Sequence, residues 1–308
     1  MAREQRAREQ RVRVEVEGRA LELSNLDKVL YPASGFTKGE VIDYYTRVSE
    51  ALLPHLRDRP LTRIRYPNGV DGASFFEKNA PAGTPDWVRL ERLPAPGSTK
   101  GREMLDYVVC DDLPTLVWLA NLAALELHTP QWRVGADPDL MVMDLDPGAP
   151  AGLAECCGVA LLIRDRLAAD GVDSHPKTSG RKGMQLLCPI SGRQSADTVS
   201  AYARRVADEL AREAPKSITA QMAKRLRPGK VFIDWSQNNA AKTTVAPYSL
   251  RAQPVPSVST PLTWAEVEAA AGGEPGAVRQ FPAAEALARI EEYGDLLIGL
   301  FDGGPELP

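Results

Sequence analysis

Residues 140–148 have the sequence Leu-Met-Val-Met-Asp-Leu-Asp-Pro-Gly, in which an apolar run leads into two acids and then into a turn. A short apolar run bounded by turn residues is typical of a buried strand. Because alternate residues of a strand point to the same face, Asp144 and Asp146 are predicted to project together from the end of that strand. The sequence is therefore expected to place two carboxylates side by side.

Carboxylates this close repel each other unless a cation lies between them. Hard divalent ions such as Mg²⁺ and Mn²⁺ prefer oxygen ligands of this kind. The pattern therefore favours a metal site at Asp144 and Asp146 over its alternative, two solvated acids at a turn.

A second short apolar strand, Val231–Ile233, leads into Asp234 within a region that is otherwise basic. If folding brings Asp234 beside the first two acids, the three carboxylates could hold a pair of metal ions for phosphoryl transfer. The alternative is an ion pair with Lys230 or Arg227, and this motif alone does not decide between them.

The segment Lys177-Thr-Ser-Gly-Arg-Lys-Gly183 combines glycines with basic and hydroxyl side chains. Glycines let backbone N–H groups approach an anion closely, so the segment suits the phosphates of a nucleotide. The order of a Walker loop is absent. The alternative is a basic surface turn.

The adjacent residues Phe75 and Phe76 lie in a polar segment, Gly72–Asn79. Neighbouring residues of a strand point to opposite faces, so both rings cannot enter one core. At least one is a candidate for stacking on a nucleic-acid base, and the alternative is burial of one ring with a loop over the other.

Strands and helices alternate along the whole chain, which predicts an α/β class with mixed α+β sheets. The motif Thr37-Lys-Gly-Glu40 is a capping box and predicts a helix that runs to about Leu56. Three further assignments are predicted: a buried helix over Leu113–Leu127, a loop over Ala80–Gly97, and a helix over Ile218–Leu226 as a candidate only.

The composition is that of a globular protein: 308 residues, with 37 Lys and Arg against 41 Asp and Glu, a net charge of −4. No run approaches the roughly 18 apolar residues that span a bilayer, so no membrane association is expected. The charged N-terminus is no secretory signal, and a cytoplasmic location is predicted. The four cysteines lack Cys-x-x-Cys spacing, so zinc is not expected.

The charge is unevenly distributed. Residues 174–193 and 221–253 are strongly basic, whereas residues 262–308 are acidic. Local patches set the field that a phosphate experiences, so the negative total does not exclude nucleic acid. We divide the chain into an Arg-rich arm (1–11), a catalytic domain (12–253), and a Pro-rich joint with an acidic helical segment packed on that domain (254–308).

These motifs, in this order, resemble the polymerase domain of bacterial ligase D proteins, a member of the archaeo-eukaryotic primase superfamily. The resemblance extends from about Leu23 to Arg251. It further includes Ser24-Asn-Leu-Asp-Lys-Val-Leu-Tyr-Pro32, Arg65-Tyr-Pro-Asn-Gly69, Glu126-Leu-His128 and Ala246-Pro-Tyr-Ser-Leu-Arg251. It implies a primase-polymerase core of two packed sheets with flanking helices, either free-standing or excised from a longer protein.

The resemblance implies a role for each matching residue. The catalytic metal-binding carboxylates would be Asp144, Asp146 and Asp234. The incoming nucleotide would be bound by Ser179, Lys182, Arg251, His128, Gln185 and Arg227. The DNA contacts would be Lys28 and Lys38 on a 5′-phosphate, Phe75 and Phe76 against the template, and Arg63, Arg65 and Lys78 on the backbone.

By the same resemblance, the domain would extend a primer 3′-hydroxyl at gaps or broken ends in non-homologous end joining. It would use two divalent cations, Mn²⁺ or Mg²⁺, would take nucleoside triphosphates with a preference for ribonucleotides, and would work with Ku and a DNA ligase. A monomer at the bacterial nucleoid is expected. The alternatives are a non-catalytic module that binds DNA ends and a haloacid-dehalogenase-type phosphohydrolase, whose signature is also Asp-x-Asp after an apolar strand.

The sequence departs from the superfamily pattern at one position. The strand after the glycine-containing loop usually carries Ser-x-His, whereas here Gln185 lies at or near the expected His. Glutamine can hydrogen-bond a phosphate but cannot carry a positive charge. We expect this change to affect triphosphate binding more than the type of reaction.

Overall fold

The structure, a computed structural model, describes residues 11–95 and 103–308. It has the mixed α/β composition predicted from the sequence. The predicted N-terminal arm lies outside the described residues except for Arg11, which begins the first strand. No helix in these two ranges is both long and apolar enough to cross a bilayer.

Residues 11–95 and 103–129, the described part of the N-terminal half, contain nine strands and three helices. In chain order they are β1 (Arg11–Val16), β2 (Arg19–Ser24), β3 (Val29–Tyr31), β4 (Phe36–Thr37), α1 (Lys38–Arg47), α2 (Ser49–Leu56), β5 (Pro60–Arg65), β6 (Phe75–Glu77), β7 (Leu90–Pro94), β8 (Met104–Val109), α3 (Leu113–Asn121) and β9 (Ala124–Thr129). The predicted capping box at Thr37 and Glu40 is formed and begins α1.

The C-terminal half contributes the remaining strands and helices. They are β10 (Leu140–Pro147), α4 (Leu153–Ala168), β11 (His175–Thr178), β12 (Met184–Pro189), α5 (Ala196–Glu213), β13 (Ile218–Thr219), β14 (Val231–Asp234), β15 (Thr244–Val245), β16 (Leu250–Arg251), β17 (Ser257–Val258), α6 (Trp264–Ala271) and α7 (Ala283–Tyr293). Short 3₁₀ helices cover Lys224–Leu226, Trp235–Asn238 and Ile298–Phe301.

One larger sheet has five strands in the order β11-β12-β10-β14-β13, with β10 antiparallel to both of its neighbours. Alternate residues Met141, Met143 and Leu145 of β10 enter a core shared with α4, α5 and α6. The residues between them, including Asp144, therefore face the other side of the sheet. This alternation separates the core of the sheet from its polar face.

The second larger sheet has the order β15-β9-β5-β8-β7, and β6 pairs with β5. Its core is formed with α1, α2 and α3 and includes three buried tyrosines of the first 50 residues. The C-terminal segment contributes to both cores: Ala286 and Leu287 enter this one, whereas Val267 and Phe281 enter the other. The boundary placed after residue 253 stays a prediction.

Three local predictions are wrong. The run Leu113–Leu127 is not one helix, because α3 ends at Asn121 and the chain turns through Ala123, with φ of 58°, into β9. Residues Ile218–Leu226 form the short strand β13 and a 3₁₀ turn rather than a helix. The region predicted as loop over Ala80–Gly97 contains β7, which pairs with β8.

Candidate active site

Strand register brings the three acids together. Asp144 of β10 lies directly opposite Asp234 of β14, so the two side chains share one face of the sheet. Asp146, two residues along β10, projects from the same face. The alternative ion pairs for Asp234 are not formed: its carboxylate accepts hydrogen bonds from Ser236 and Gln237.

Burial and mutual repulsion raise the pKa values of Asp144 and Asp146. Burial, the charge of Asp146 and the charge of Asp234 raise the pKa of Asp144 to about 7, although a hydrogen bond from Gln185 opposes the shift. Burial and the charge of Asp234 also raise the pKa of Asp146, against the effect of Arg227 and Lys182. The site therefore disfavours its own full ionisation and would be relieved by an added cation.

The fit of a divalent ion rests on the chemistry of these donors, because no set of three or more His, Cys, Asp or Glu side chains within residues 11–95 and 103–308 is already arranged around an ion position. One oxygen of Asp144 is engaged by Gln185 and both oxygens of Asp234 accept hydrogen bonds. Carboxylate oxygens are the ligands that Mg²⁺ and Mn²⁺ prefer. The donor chemistry of the acids therefore fits such ions.

Arg227 lies at the outer end of the acidic face. Its guanidinium stacks 3.7 Å above the ring of Phe232, the residue opposite Asp146, and its Nη1 is 4.0 Å from the Asp146 carboxylate. Lys182 is exposed. It lies close enough to Asp146 for its charge to lower the pKa of that carboxyl. Both cations are positioned to meet an anion that approaches the acids.

The glycine-containing loop, residues 179–183, leaves β11 beside the acids. A Cβ on Gly183 would lie 1.9 Å from the carbonyl oxygen of Leu145, and one on Gly180 would lie 2.5 Å from the side chain of Arg251. Only glycine fits these two positions. Arg251 donates to the carbonyl oxygen of Ser179 and Ser257 donates to that of Gly180, so the C-terminal segment supports the loop.

A second buried carboxylate, Glu126 of β9, collects the basic residues of this region. It lies 3.0 Å from His128 Nε2, 2.8 Å from Arg181 Nη2 and 3.3 Å from Arg251 Nε, and accepts from the backbone N–H of Ala252. Burial alone would raise the pKa of Glu126, but the hydrogen bond from His128 and the charge of Arg251 lower it to about 2. We call these four side chains the Glu126 cluster.

The predicted 5′-phosphate residues are neighbours at the base of the β3–β4 hairpin, where the backbone N–H of Lys38 donates to the carbonyl oxygen of Lys28. Lys28 is exposed and its ammonium donates to Asn68, 3.1 Å away. Lys38 is buried and donates to the carbonyl oxygen of Ser24. Their joint binding of a phosphate stays a prediction.

Both phenylalanines of β6 are exposed, Phe75 by 48% and Phe76 by 61%, as their adjacency suggested. Arg63 contradicts its predicted contact with a DNA backbone: it is fully buried, with its guanidinium bonded to Glu77 and to the carbonyl oxygen of Asn79. Arg65 is half-buried against Glu77. Lys78 donates to the carbonyl oxygen of Ala241.

Sequence reasoning missed several residues of this site. No separate role was predicted for Glu126, although the motif Glu126-Leu-His128 would place Glu126 and His128 on one face of a strand. Arg181 was counted only as a basic charge. Lys177 begins the segment predicted to bind phosphates, with a basic surface turn as the alternative. It is instead fully buried on β11, and nothing in the local sequence signals this.

Three acids on one face of an antiparallel sheet, beside a basic loop that contains essential glycines, define the class: an enzyme of phosphoryl or nucleotidyl transfer. The model of the LigD primase-polymerase domain matches residues 37–297. The chain therefore belongs to the LigD primase-polymerase domain family, whose members are DNA nucleotidyltransferases. This membership excludes the phosphohydrolase alternative.

Individual relatives support the same family assignment. The chain is 43% identical over 285 residues to the multifunctional non-homologous end joining protein LigD of Mycobacterium bovis, covering 89% of this chain and 36% of the relative. It is 34% identical over 250 residues to the bifunctional LigD of Bacillus subtilis, covering 80% and 39%. The chain thus spans little more than a third of these relatives' length.

A solved structure gives the same result for the fold. The polymerase domain of Mycobacterium tuberculosis ligase D, determined in complex with DNA, matches with a TM-score of 0.85 and 41% identity. The match covers 92% of this chain and 99% of that domain. The predicted α/β primase-polymerase fold class is confirmed. The family uses divalent metal ions and nucleoside triphosphates in general.

Proposed function

We propose that this chain is a template-dependent polymerase that extends a primer 3′-hydroxyl at DNA gaps or broken ends in non-homologous end joining. The observation that carries the proposal is the register of β10 and β14, which sets Asp144 opposite Asp234 with Asp146 on the same face. Residues 90 positions apart thereby supply one acidic site. The mycobacterial and Bacillus relatives are named for end joining, which supports the pathway.

Asp144, Asp146 and Asp234 would hold two divalent cations, Mn²⁺ or Mg²⁺. Cations bound there would lower the pKa of the primer hydroxyl and neutralise charge on the departing pyrophosphate. The raised pKa values of Asp144 and Asp146 support this assignment, because the neighbouring cations do not offset burial and the mutual repulsion of the acids.

The rest of the site binds and orients the nucleotide. Lys182 and Arg227 flank the acidic face and would attract the triphosphate, and Ser179 and the loop backbone would donate hydrogen bonds to it. His128 and Arg251 are held beside the loop by Glu126, in reach of the same anion. Gln185 contacts Asp144 rather than open space, so we propose that it acts on the carboxylate more than on phosphate.

DNA would be held outside this pocket. Lys28 and Lys38 would meet a 5′-phosphate on the downstream side of the gap, and Phe75 and Phe76 would stack on the template, since exposed aromatic rings bind bases regardless of sequence. Ku and a DNA ligase would be the partners, ribonucleotides the preferred substrates, and the bacterial nucleoid the place of action.

The test is primer extension on a gapped duplex with Mn²⁺ and each nucleotide type, with and without the 5′-phosphate. Asp144→Ala together with Asp146→Ala should abolish extension, because the acidic site loses two of its three carboxylates. DNA binding, measured by fluorescence anisotropy, should survive, because cationic side chains supply the phosphate contacts.

The matched control is Asp43→Ala, which removes an exposed acid of α1 and should extend primers as the wild type does. Full extension by the double variant would refute the assignment. The downstream pocket is tested in the same assay: loss of the 5′-phosphate should weaken binding to the wild type more than to Lys28→Ala.

A further inference from the structure

Four neighbouring strands place a single row of side chains on the acidic face. Lys177 of β11 lies opposite Gln185 of β12, Gln185 lies opposite Asp144 of β10, and Asp144 lies opposite Asp234. Directly opposed residues have Cβ atoms about 4.5–5.5 Å apart, so each side chain in the row can touch the next. The row leads from a buried cation to the acids of the site.

Lys177 has no exposed surface, yet its ammonium is fully provided with acceptors. Its Nζ donates to Gln185 Oε1 at 2.6 Å, to Ser259 Oγ at 2.6 Å and to the carbonyl oxygen of Val245 at 3.1 Å. An ammonium has three donors, and each of them has a partner here. A lysine held this way has no freedom to reach a substrate.

Gln185 links this cation to the acid. Its Oε1 accepts from Lys177 while its Nε2 donates to Asp144 Oδ1 at 3.0 Å. If the amide were reversed, its N–H₂ would face the ammonium and its oxygen would face the carboxylate, and both contacts would become repulsive. The two neighbouring charges therefore fix the amide in one orientation.

We propose that Lys177 and Gln185 are positioning residues that hold the Asp144 carboxylate in its metal-binding orientation. Lys177 fixes the amide of Gln185, and the amide fixes one oxygen of Asp144, so that the other oxygen keeps a constant direction. The inference rests on the proposed metal site. It also gives a role to glutamine at the position where the superfamily usually carries histidine.

We call the chain of contacts from Lys177 through Gln185 to Asp144 the relay. Ser259 extends it into the C-terminal segment. Its hydroxyl accepts from Lys177 and donates to the carbonyl oxygen of Thr178. The Pro-rich joint thus supports Asp144 through Lys177 and Gln185 in turn. Outer groups that orient a metal ligand typically contribute about 10–100-fold to metal affinity or activity.

The test measures binding of Mn²⁺ alone to the purified protein, by electron paramagnetic resonance of the free ion, without DNA or nucleotide. Gln185→Met removes both hydrogen bonds at similar length and should weaken Mn²⁺ binding by about 10-fold or more. The control Gln131→Leu removes another buried glutamine, which bonds Thr244 away from the acids, and should leave Mn²⁺ binding unchanged.

A double-mutant cycle distinguishes an effect of Lys177 through Gln185 from a direct electrostatic effect of Lys177 on Asp144. If Lys177 acts through Gln185, Lys177→Met should weaken Mn²⁺ binding in the wild type but add little in the Gln185→Met background. If the charge of Lys177 acts on Asp144 directly, the two losses should add, and the relay is wrong. If Lys177→Met does not fold, Gln185→Met decides alone: unchanged affinity overturns the proposal.

If the proposed metal site itself is wrong, the Mn²⁺ binding data will differ from those expected when only the relay is wrong. In that case the wild type and Asp144→Asn would bind Mn²⁺ equally poorly. If the wild type binds the ion, Asp144→Asn does not, and Gln185→Met binds as the wild type does, the metal site stands and only the relay is refuted.

Discussion

Two carboxylates of this domain have opposite electrostatic surroundings. Glu126, on the six-stranded sheet, has two arginines and a histidine around it, and its pKa is lowered to about 2. Asp144, on the five-stranded sheet, has two other acids as neighbours, and its pKa is raised to about 7. Burial raises the pKa of both carboxylates, and their neighbours then lower it for Glu126 and raise it further for Asp144.

The difference indicates that one cluster is complete and the other is not. The charges around Glu126 are balanced by the chain itself, so this cluster belongs to the stable framework that holds His128 and Arg251. The cations that the chain places near Asp144 and Asp146 do not balance the three acids, because the pKa values of both stay raised. Changes at the two carboxylates should therefore affect the free energy of unfolding in opposite directions.

The largest expected effect on stability comes from Glu126→Gln. This change leaves Arg251, which is buried, without its counter-charge, and breaking a buried ion pair costs about 3–5 kcal/mol. Urea unfolding in the presence of a chelator measures the loss. The control is Glu291→Gln, whose exposed pair with Arg47 should contribute less than about 1 kcal/mol. Equal losses in the two variants would contradict the comparison.

A smaller effect of opposite sign is expected from Asp144→Asn, which should stabilise the metal-free protein at high pH. The unfolded chain releases the Asp144 proton near its ordinary pKa of 3.8, whereas the folded protein keeps it until about pH 7. The unfolded state therefore binds fewer protons in this window, and the stability of the wild type falls as the pH rises through it.

Unfolding of both proteins in chelator at pH 5 and pH 8 checks this. The wild type should lose more stability between these values than Asp144→Asn, by on the order of 2 kcal/mol, since one pKa unit corresponds to about 1.4 kcal/mol and the acids titrate together. Saturating Mn²⁺ should abolish the disadvantage of the wild type. Parallel pH profiles for the two proteins would mean that Asp144 is not strained by its neighbours.

The acidic half of this comparison was predictable from the sequence to a large extent. The apolar runs ending at Asp144 and Asp234 indicated buried strands that deliver acids, and both strands are present. Their meeting was only a hypothesis, because register between strands 90 residues apart depends on the packing of the whole sheet. A family resemblance supplied what periodicity could not.

The basic half was much less predictable. Residues 113–127 are mostly apolar, with Thr115, Asn121 and Glu126 as exceptions. A buried helix and a buried strand therefore cannot be told apart by periodicity, and the turn at Ala123 before β9 was missed. Without β9, Glu126 had no defined face. Burial of Lys177 and Arg63 was equally hidden, because a lysine or arginine in a short strand usually indicates an exposed position.

The smallest expected effect on stability, Arg181→Ala, tests whether every cation around Glu126 belongs to the framework. The side chain of Arg181 is 43% exposed and comes from the glycine-containing loop, so its pair with Glu126 should contribute less than about 1 kcal/mol. Arg181 belongs to the glycine-containing loop, so we expect it to contact the triphosphate instead. Loss of that contact in Arg181→Ala should weaken nucleotide binding by about 5–10-fold.

The control is Arg193→Ala, which removes an exposed arginine beyond β12 that pairs weakly with Glu306. Titration of a labelled nucleoside triphosphate in Ca²⁺, which keeps the substrate intact, separates the two roles: a change in unfolding free energy without a change in nucleotide affinity would place Arg181 with the framework.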